Sequence, residues 1–235
     1  MTDANERAFR AMRSSEVPDG AVSGFFRDAL PLGGVSVSSF GPLAPSETIS
    51  SSDDLASRID EIQFDLTEGP FWTALERRSP VFENDLVERP NGHWPAFNDV
   101  VRHEPVRAVF AFPIIFGPFP LGAVDVYAEH PTELDDDQVD TAAVLATALG
   151  RRVLRRALRA VDEDDALVDH GPFSRRVVHQ ATGVVLAQLD VTPDDAYLLI
   201  QGHAFARRTT MRAVAEDVLA GAIRFEKHGD LIEEA

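Results

Sequence analysis

The chain has 235 residues, of which 44% are hydrophobic, and its net charge at pH 7 is −17. This length and composition predict one medium-sized and one small globular domain with a sizeable core. There is no cysteine, which excludes a disulfide framework, thiolate metal sites and a cysteine nucleophile.

Residues 1–33 are predicted to form a helical segment that is interrupted around residues 18–20. The start of the chain is charged and lacks an apolar core segment, so no signal peptide is predicted and we expect a cytoplasmic protein. Alternating residues at 35–40 predict a half-buried strand. Asp53 or Asp54 is expected to cap the helix that follows.

The next part of the chain mixes short helices with strands. Two short helices are predicted at Phe71–Arg77 and Trp94–Arg102, and strands at Val81–Phe82, Val106–Ile115 and Leu121–Ala128. This mixture predicts an α+β domain in which helices flank an antiparallel sheet. The prolines and glycines of the apolar region 108–124 indicate two strands instead of a membrane span.

A long helix is predicted from Asp135 to Val168, with residues 169–172 as the break between domains. Apolar residues recur along it at steps of three and four, a seam that could pair with a helix of a second copy but does not require such pairing. The seam consists of Val139, Ala142, Ala146, Leu149 and Val153. The arginines between 151 and 159 either form a basic collar that reaches RNA or, as we favour, pair with nearby acids.

Three short amphipathic helices are predicted between Arg175 and Ala222. Thr192 is expected to cap the second helix, with Pro193 at its first position, and Thr209 or Thr210 is expected to cap the third. The residues at 226–235 are interpreted as an acidic tail.

Four elements of this C-terminal region occur in order: the string at 179–185 (HQATGVV), then residues 194–196, 204–207 and 214–215. Together they resemble the ANTAR domain, a helical RNA-binding output module, and we assign it residues 169–225. The resemblance implies binding to RNA hairpin loops, with two copies holding adjacent hairpins, and therefore promotion of transcription antitermination. The residues that it implies for RNA contact are Arg175, Arg176, Gln180, Ala181, Thr182, Gly183, Arg207 and Arg208.

Within this set, the arginines are expected to contact phosphates or stack on bases, and Gln180 and Thr182 to hydrogen-bond a loop base. Gly183 destabilises a helix, so its presence suggests close approach of another helix or of a nucleic acid. His179 and His203 are interpreted as packed or solvated side chains.

The region 34–154, with its helix continuing to 168, resembles a GAF sensory domain. The resemblance rests on the loop Asp65–Pro70, the strand pair 109–114 and 121–127, and the helix after Leu134. It implies an unidentified small ligand held between the sheet and covering helices; no cofactor or metal motif is present. The ligand-pocket residues that we consider are Phe64, Trp72, Phe97, Phe112, Asp125 and Tyr127.

The sequence thus predicts a homodimeric GAF–ANTAR regulator without enzymatic activity, since phosphate-loop, nucleophile-elbow and metalloprotease motifs are missing. The rival hypothesis is a ligand-sensing protein-interaction module that binds no RNA, and the acidic net charge favours it. The segment from Arg175 to Arg224, however, has six arginines against five acids, a sum of +1.

Overall fold

The computed structural model describes residues 3–14, 17–30, 32–41, 43–88, 92–162, 175–228 and 231–234. The chain divides into two compact units, Met1–Asp169 and His170–Ala235. The predicted helix end at 168 and the predicted break at 169–172 lie outside the described residues. None of the described helices is long and apolar enough to cross a membrane.

The first unit is built from helices on both faces of one sheet. Its elements are α1 (Asp3–Arg13), a 3-10 helix (Asp19–Ala21), α2 (Val22–Ala29), β1 (Val35–Gly41), β2 (Ala44–Ser51), α3 (Asp54–Leu66), α4 (Pro70–Arg77), β3 (Val81–Glu83), α5 (Pro95–Val101), β4 (Ala108–Phe116), β5 (Phe119–Ala128) and α6 (Asp136–Asp162).

The five strands form an antiparallel sheet in the order β2-β1-β5-β4-β3, which confirms the predicted α+β class. Sequence patterns missed β2, because its residues are largely polar and include Pro45. Proline lacks the N–H that a central strand would donate, but it is tolerated at a sheet edge, where β2 lies.

Side chains alternate between the two faces of the sheet. Phe110 and Phe112 belong to the core that also contains α1, α2 and α6 residues, whereas Val109, Ala111 and Tyr127 belong to the core with α3 and α5 residues.

Helix α3 begins as predicted, because the Asp53 carboxylate accepts a hydrogen bond of 2.8 Å from the backbone N–H of Ala56. The same carboxylate oxygen accepts from the Tyr127 hydroxyl at 3.1 Å.

The apolar seam of α6 lies against the protein's own sheet. Ala142, Ala146, Leu149 and Val153 are each at most 2% exposed and belong to the same core as Phe110 and Phe112. The seam is therefore not available for pairing with a second copy, because the sheet needs an apolar cover on this face and the seam provides it. A dimer would have to use another surface.

Two arginines of α6 form an ion network with the N-terminal part of the chain. Arg156 donates to both carboxylate oxygens of Glu47, at 2.8 and 3.1 Å, and to Asp19 at 2.6 Å. Arg152 donates to the other oxygen of Asp19 at 2.6 Å. Burial alone would raise the pKa of Asp19, but hydrogen bonds from Arg156 and Arg152 bring this pKa below its ordinary value. For these two arginines, pairing with acids is confirmed; Arg151, Arg155 and Arg159 are exposed.

The second unit contains the three predicted helices and a hairpin. They are α7 (Arg176–Leu189), α8 (Pro193–Arg207), α9 (Met211–Leu219), β6 (Phe225–His228) and β7 (Leu231–Glu234). The hydroxyls of Thr192 and Thr210 accept from the backbone N–H groups three residues on, at 3.2 and 3.1 Å, which confirms both caps.

The interpretation of residues 226–235 as a tail is wrong, because β6 and β7 pair antiparallel. The hairpin is anchored to the helices through Phe225. Its backbone N–H donates to the side chain of Gln188 at 3.2 Å, and its ring centroid lies 5.5 Å from that of His203. The sequence did not indicate these strands, because the acidic residues at 226, 233 and 234 are typical of a solvent-exposed chain end.

Candidate functional site

Helix α7 carries the string that suggested RNA binding, and one side of it is core. Ala181 and Val185 are fully buried against α8 and α9 residues such as Ile200 and Val214. Thr182 is 9% exposed, and its hydroxyl donates to the carbonyl of Val178 at 2.8 Å.

Two of the predicted RNA contacts are therefore corrected. Ala181 lies in the core, and Thr182 uses its hydroxyl within its own helix, a bond that helical threonines commonly make one turn back. Neither side chain is available for a base edge. Their role is to hold α7 in the bundle so that the neighbouring residues face outward.

Gln180 and Gly183 form the outward side of the same string. Both are exposed, and a Cβ atom built on Gly183 would meet no heavy atom within 4 Å. Packing within the described chain thus gives no reason for this glycine, although glycine in a helix costs about 1 kcal/mol relative to alanine. The open backbone here admits a close approach from outside.

The four predicted arginines differ in accessibility. Arg207 ends α8 and Arg208 caps it with φ of 51°, and both are exposed. Arg175 and Arg176, at the start of α7, are half-buried. The Arg207–Arg208 pair is accordingly the more accessible of the two for a phosphate.

His179 lies one helical turn after Arg175 on α7 and adds little positive charge at neutral pH. Burial and the charge of Arg175 lower the pKa of His179 below its ordinary value, and histidine is already mostly neutral at pH 7. Positive charge on this surface therefore comes from arginine.

A buried hydrogen-bond network of Gln63 organises the sensor unit around the loop that suggested a GAF domain. The side-chain amide of Gln63 donates to Asp125 at 2.7 Å, and its side-chain oxygen accepts from the backbone N–H of Phe71 at 2.8 Å. The backbone carbonyl of Gln63 accepts from the indole N–H of Trp72 at 2.7 Å. Gly69 has φ of +129°, and a Cβ there would lie 2.5 Å from the Gln63 side-chain oxygen. Glycine at 69 is thus needed for this loop to close over Gln63.

Sequence reasoning missed Gln63. The signal available was a polar residue at a buried position of α3, between Ile62 and Phe64. Its partner Asp125 is among the pocket residues considered from the sequence and is the one charged residue between Ala108 and Ala128. That its side chain faces inward to Gln63 required the sheet register.

Asp125 is 4% exposed, and only one of its two carboxylate oxygens has a hydrogen-bond partner among the described residues. Burial and the negative charge of Asp60 raise the pKa of Asp125 well above its ordinary value, against the opposing effect of the Gln63 hydrogen bond. Asp60, in contrast, accepts hydrogen bonds from the hydroxyls of Ser38 and Thr48.

The six predicted pocket residues are not all brought together. Phe64 and Trp72 pack with Phe71 at centroid distances of 4.7–5.2 Å, whereas Phe97 and Tyr127 belong to the adjoining core. Phe112 lies on the opposite face of the sheet, because it pairs with Val124 while Ala111 pairs with Asp125. Phe112 is therefore excluded from any pocket that contains Asp125.

Replacing Asp125 by asparagine is expected to make the sensor unit more stable at pH 8, by about 1–3 kcal/mol, the usual cost of a buried unsatisfied group. The pKa of Asp125 is higher in the folded chain than in the unfolded chain. The protonated carboxyl therefore contributes its full share of stability below the unfolded pKa of about 4, and this share is lost as the pH rises through the native pKa. The side-chain oxygen of asparagine at position 125 can still accept the hydrogen bond from Gln63, but the residue carries no charge. Urea unfolding between pH 4 and 8 measures the effect.

Asp28→Asn provides the control, because Asp28 is exposed and its replacement is expected to change stability by less than about 0.5 kcal/mol. An equal stability difference between Asp125→Asn and the native chain at pH 4 and at pH 8 would contradict the prediction.

Comparison with known families gives two matches in sequence order. The GAF domain family matches residues 18–153, and the ANTAR domain family matches residues 173–219. A search of curated proteins found no match.

The first unit is also similar to solved GAF domains. One, from a phosphoenolpyruvate-protein phosphotransferase of Coxiella burnetii, has a TM-score of 0.51 and 13% identity, covering 67% of this chain and 95% of that one. Another, the phycocyanobilin-bound GAF domain from a cyanobacterial phytochrome, has a TM-score of 0.50 and 14% identity, covering 68% and 98%. Such low identities establish the shared fold alone.

Proposed function

Because the chain belongs to the GAF family and carries an ANTAR domain after its GAF domain, we propose that it is a signal-responsive RNA-binding regulator. In this proposal the ANTAR domain binds hairpin loops in nascent transcripts and promotes transcription antitermination in the cytoplasm. The observation that carries the proposal is the ANTAR match over helices whose outward surface includes Arg207, Arg208, Gln180 and Gly183.

The proposed contacts divide by chemistry. Arg207 and Arg208, with Arg175 and Arg176, contact phosphates or stack on bases, because a guanidinium is planar and always charged. Gln180 hydrogen-bonds an unpaired base, and Gly183 permits close approach of the RNA. Single-stranded loops suit this set, since proteins read the edges and faces of unstacked bases there.

Antitermination by this mechanism needs two hairpins held together, so the proposal includes a homodimer. Two bundles that each hold one hairpin would disfavour an overlapping terminator stem. The dimer must form away from the α6 seam, which the sheet already covers.

Control is proposed to come from the GAF domain. A small ligand that enters between the sheet and α3–α4 would exchange the Gln63–Asp125 hydrogen bond for its own polar contacts, with Phe64 and Trp72 as aromatic walls. The proposal assigns both domains binding and conformational roles and no catalytic step.

The alternative function is a ligand-sensing module that docks a protein and binds no RNA. The net charge of −17 favours it, because nucleic-acid-binding domains are usually basic. Salt dependence separates the two, since binding through phosphate contacts weakens steeply as salt rises.

The direct test is crosslinking and sequencing of RNA bound to the native chain and to an Arg207→Ala/Arg208→Ala variant. We expect enriched hairpins with the native chain and at least about tenfold weaker binding by the variant, from lost charged hydrogen bonds. The salt slope should fall by about 0.7 for each lost phosphate contact.

An Arg77→Ala/Arg78→Ala variant is the matched control, because it removes two consecutive exposed arginines from the GAF domain. It should bind RNA like the native chain. Recovery of no enriched hairpin with the native chain would rule out the RNA function and favour the protein-docking alternative.

A further inference from the structure

Helix α8 exposes two large apolar side chains on one face. Leu198 is 58% exposed and Phe205 is 56% exposed. They are seven residues apart, close to two helical turns, so they lie in line along the helix. Exposed apolar groups of this size in a row mark a contact surface more often than scattered ones do.

Gly202 lies between these two side chains on the same face. It is exposed, and a Cβ atom built on it would meet nothing within 4 Å. The result is a notch with a backbone floor, one aromatic wall at Phe205 and one aliphatic wall at Leu198. Glycine lowers helix stability, and no neighbour among the described residues requires it here.

Charge is distributed unevenly along the notch. Asp194 and Asp195 precede it at the start of α8, whereas Arg207 and Arg208 follow Phe205 at the end. No acidic residue occurs between Ala196 and Ala215, although the chain as a whole has 39 acids. The phenyl ring therefore lies beside the positive end, where a polyanion would approach.

We propose that this notch binds an unpaired RNA base, which stacks on Phe205 above Gly202 while Arg208 contacts the adjoining phosphate. The inference rests on the proposed RNA function and adds to it the residue that recognises a base by its face. The missing side chain at Gly202 leaves room for a flat ring against Phe205. Stacking on aromatic side chains, with contributions from arginine, is how proteins hold single-stranded bases.

The test uses RNA stem–loops with randomised loops, selected for binding to the full native chain, with 2-aminopurine then placed at each loop position. Stacking quenches 2-aminopurine fluorescence, so one position should be quenched on binding. Phe205→Tyr keeps the aromatic face and should bind within about threefold of native. Phe205→Leu keeps only the apolar character and should lose about 5- to 150-fold in affinity, the range for one stacked base.

A second variant fills the notch without touching the ring. Gly202→Leu should bind at least about tenfold more weakly, although leucine favours helix and should not lower the melting temperature. Gly24→Leu is its matched control, because Gly24 is also a helical glycine with open space around it. Leu219→Ala, which removes an exposed leucine from α9, should leave affinity unchanged.

The outcomes separate this inference from the function beneath it. If the native chain selects no stem–loop, the proposed function fails. If the native chain binds but Phe205→Leu binds equally well with no quenched position, the stacking site alone is overturned. Equal RNA affinity with a changed sedimentation coefficient would instead assign the face to a second copy of the chain.

Discussion

Replacing Arg156 by methionine is expected to lower the free energy of unfolding of the N-terminal unit by about 2–4 kcal/mol. Removing one partner of a buried ion pair usually costs about 3–5 kcal/mol, because the other charge stays buried without compensation. Here Glu47 is that other charge, with its side chain only 3% exposed. The expected value is somewhat smaller because Arg156 is 29% exposed and water screens part of the interaction.

The neighbouring Arg155→Met variant is the control, because Arg155 is exposed on the same helix and its loss should change stability by less than about 0.5 kcal/mol. Adding Glu47→Gln to Arg156→Met should recover part of the loss, since the uncompensated charge is then gone. Urea unfolding at pH 7 measures all three. Equal stability of Arg155→Met and Arg156→Met would show that the network contributes nothing.

Replacing Arg208 by glycine is expected to stabilise the C-terminal unit while weakening RNA binding. Arg208 has φ of 51° and ψ of 42°, a left-handed conformation that costs a side-chain-bearing residue about 1–2 kcal/mol and that glycine adopts freely. The same change removes a charged contact to RNA, which should cost about tenfold or more in affinity. If Arg208 had only a structural role, its replacement by glycine would not raise stability and at the same time lower RNA affinity.

Arg78→Gly is the matched control for this variant. Arg78 caps α4 with φ of 54° and ψ of 34°, and it is exposed, so the substitution has the same conformational gain and the same loss of charge in the other unit. It should raise the stability of the N-terminal unit and leave RNA binding unchanged. Equal RNA affinities for the native chain and Arg208→Gly would remove Arg208 from the proposed interface.

Local signals in the sequence were sufficient where a few neighbouring residues determine the structure. Helix starts at Asp53, Thr192 and Thr210 follow from one side-chain oxygen and a backbone N–H three residues away, and this geometry depends on little else. Alternation of apolar and polar residues identified β1, and continuous apolar runs identified β4 and β5; these signals are also local in the sequence. The order of the two domains also followed from motifs in the sequence alone.

Contacts between distant residues decided what these patterns could not. The α6 seam has the spacing of a dimer helix, yet only the presence of the sheet determined that it packs inside one chain. Phe112 and Asp125 both appeared suitable for a pocket, and only the register of β4 against β5 placed them on opposite faces. A one-residue difference in register reverses the direction of every side chain in a strand.

The sequence by itself determined the domain order, the sheet-and-helix class and most helix starts, since each is encoded by residues close together along the chain. The tertiary structure alone decided how much of the string on α7 is covered: Thr182 is buried together with the apolar Ala181, whereas Gln180 and Gly183 stay exposed. Burial is a property of the whole bundle, because a side chain is covered only by helices that lie far from it in sequence.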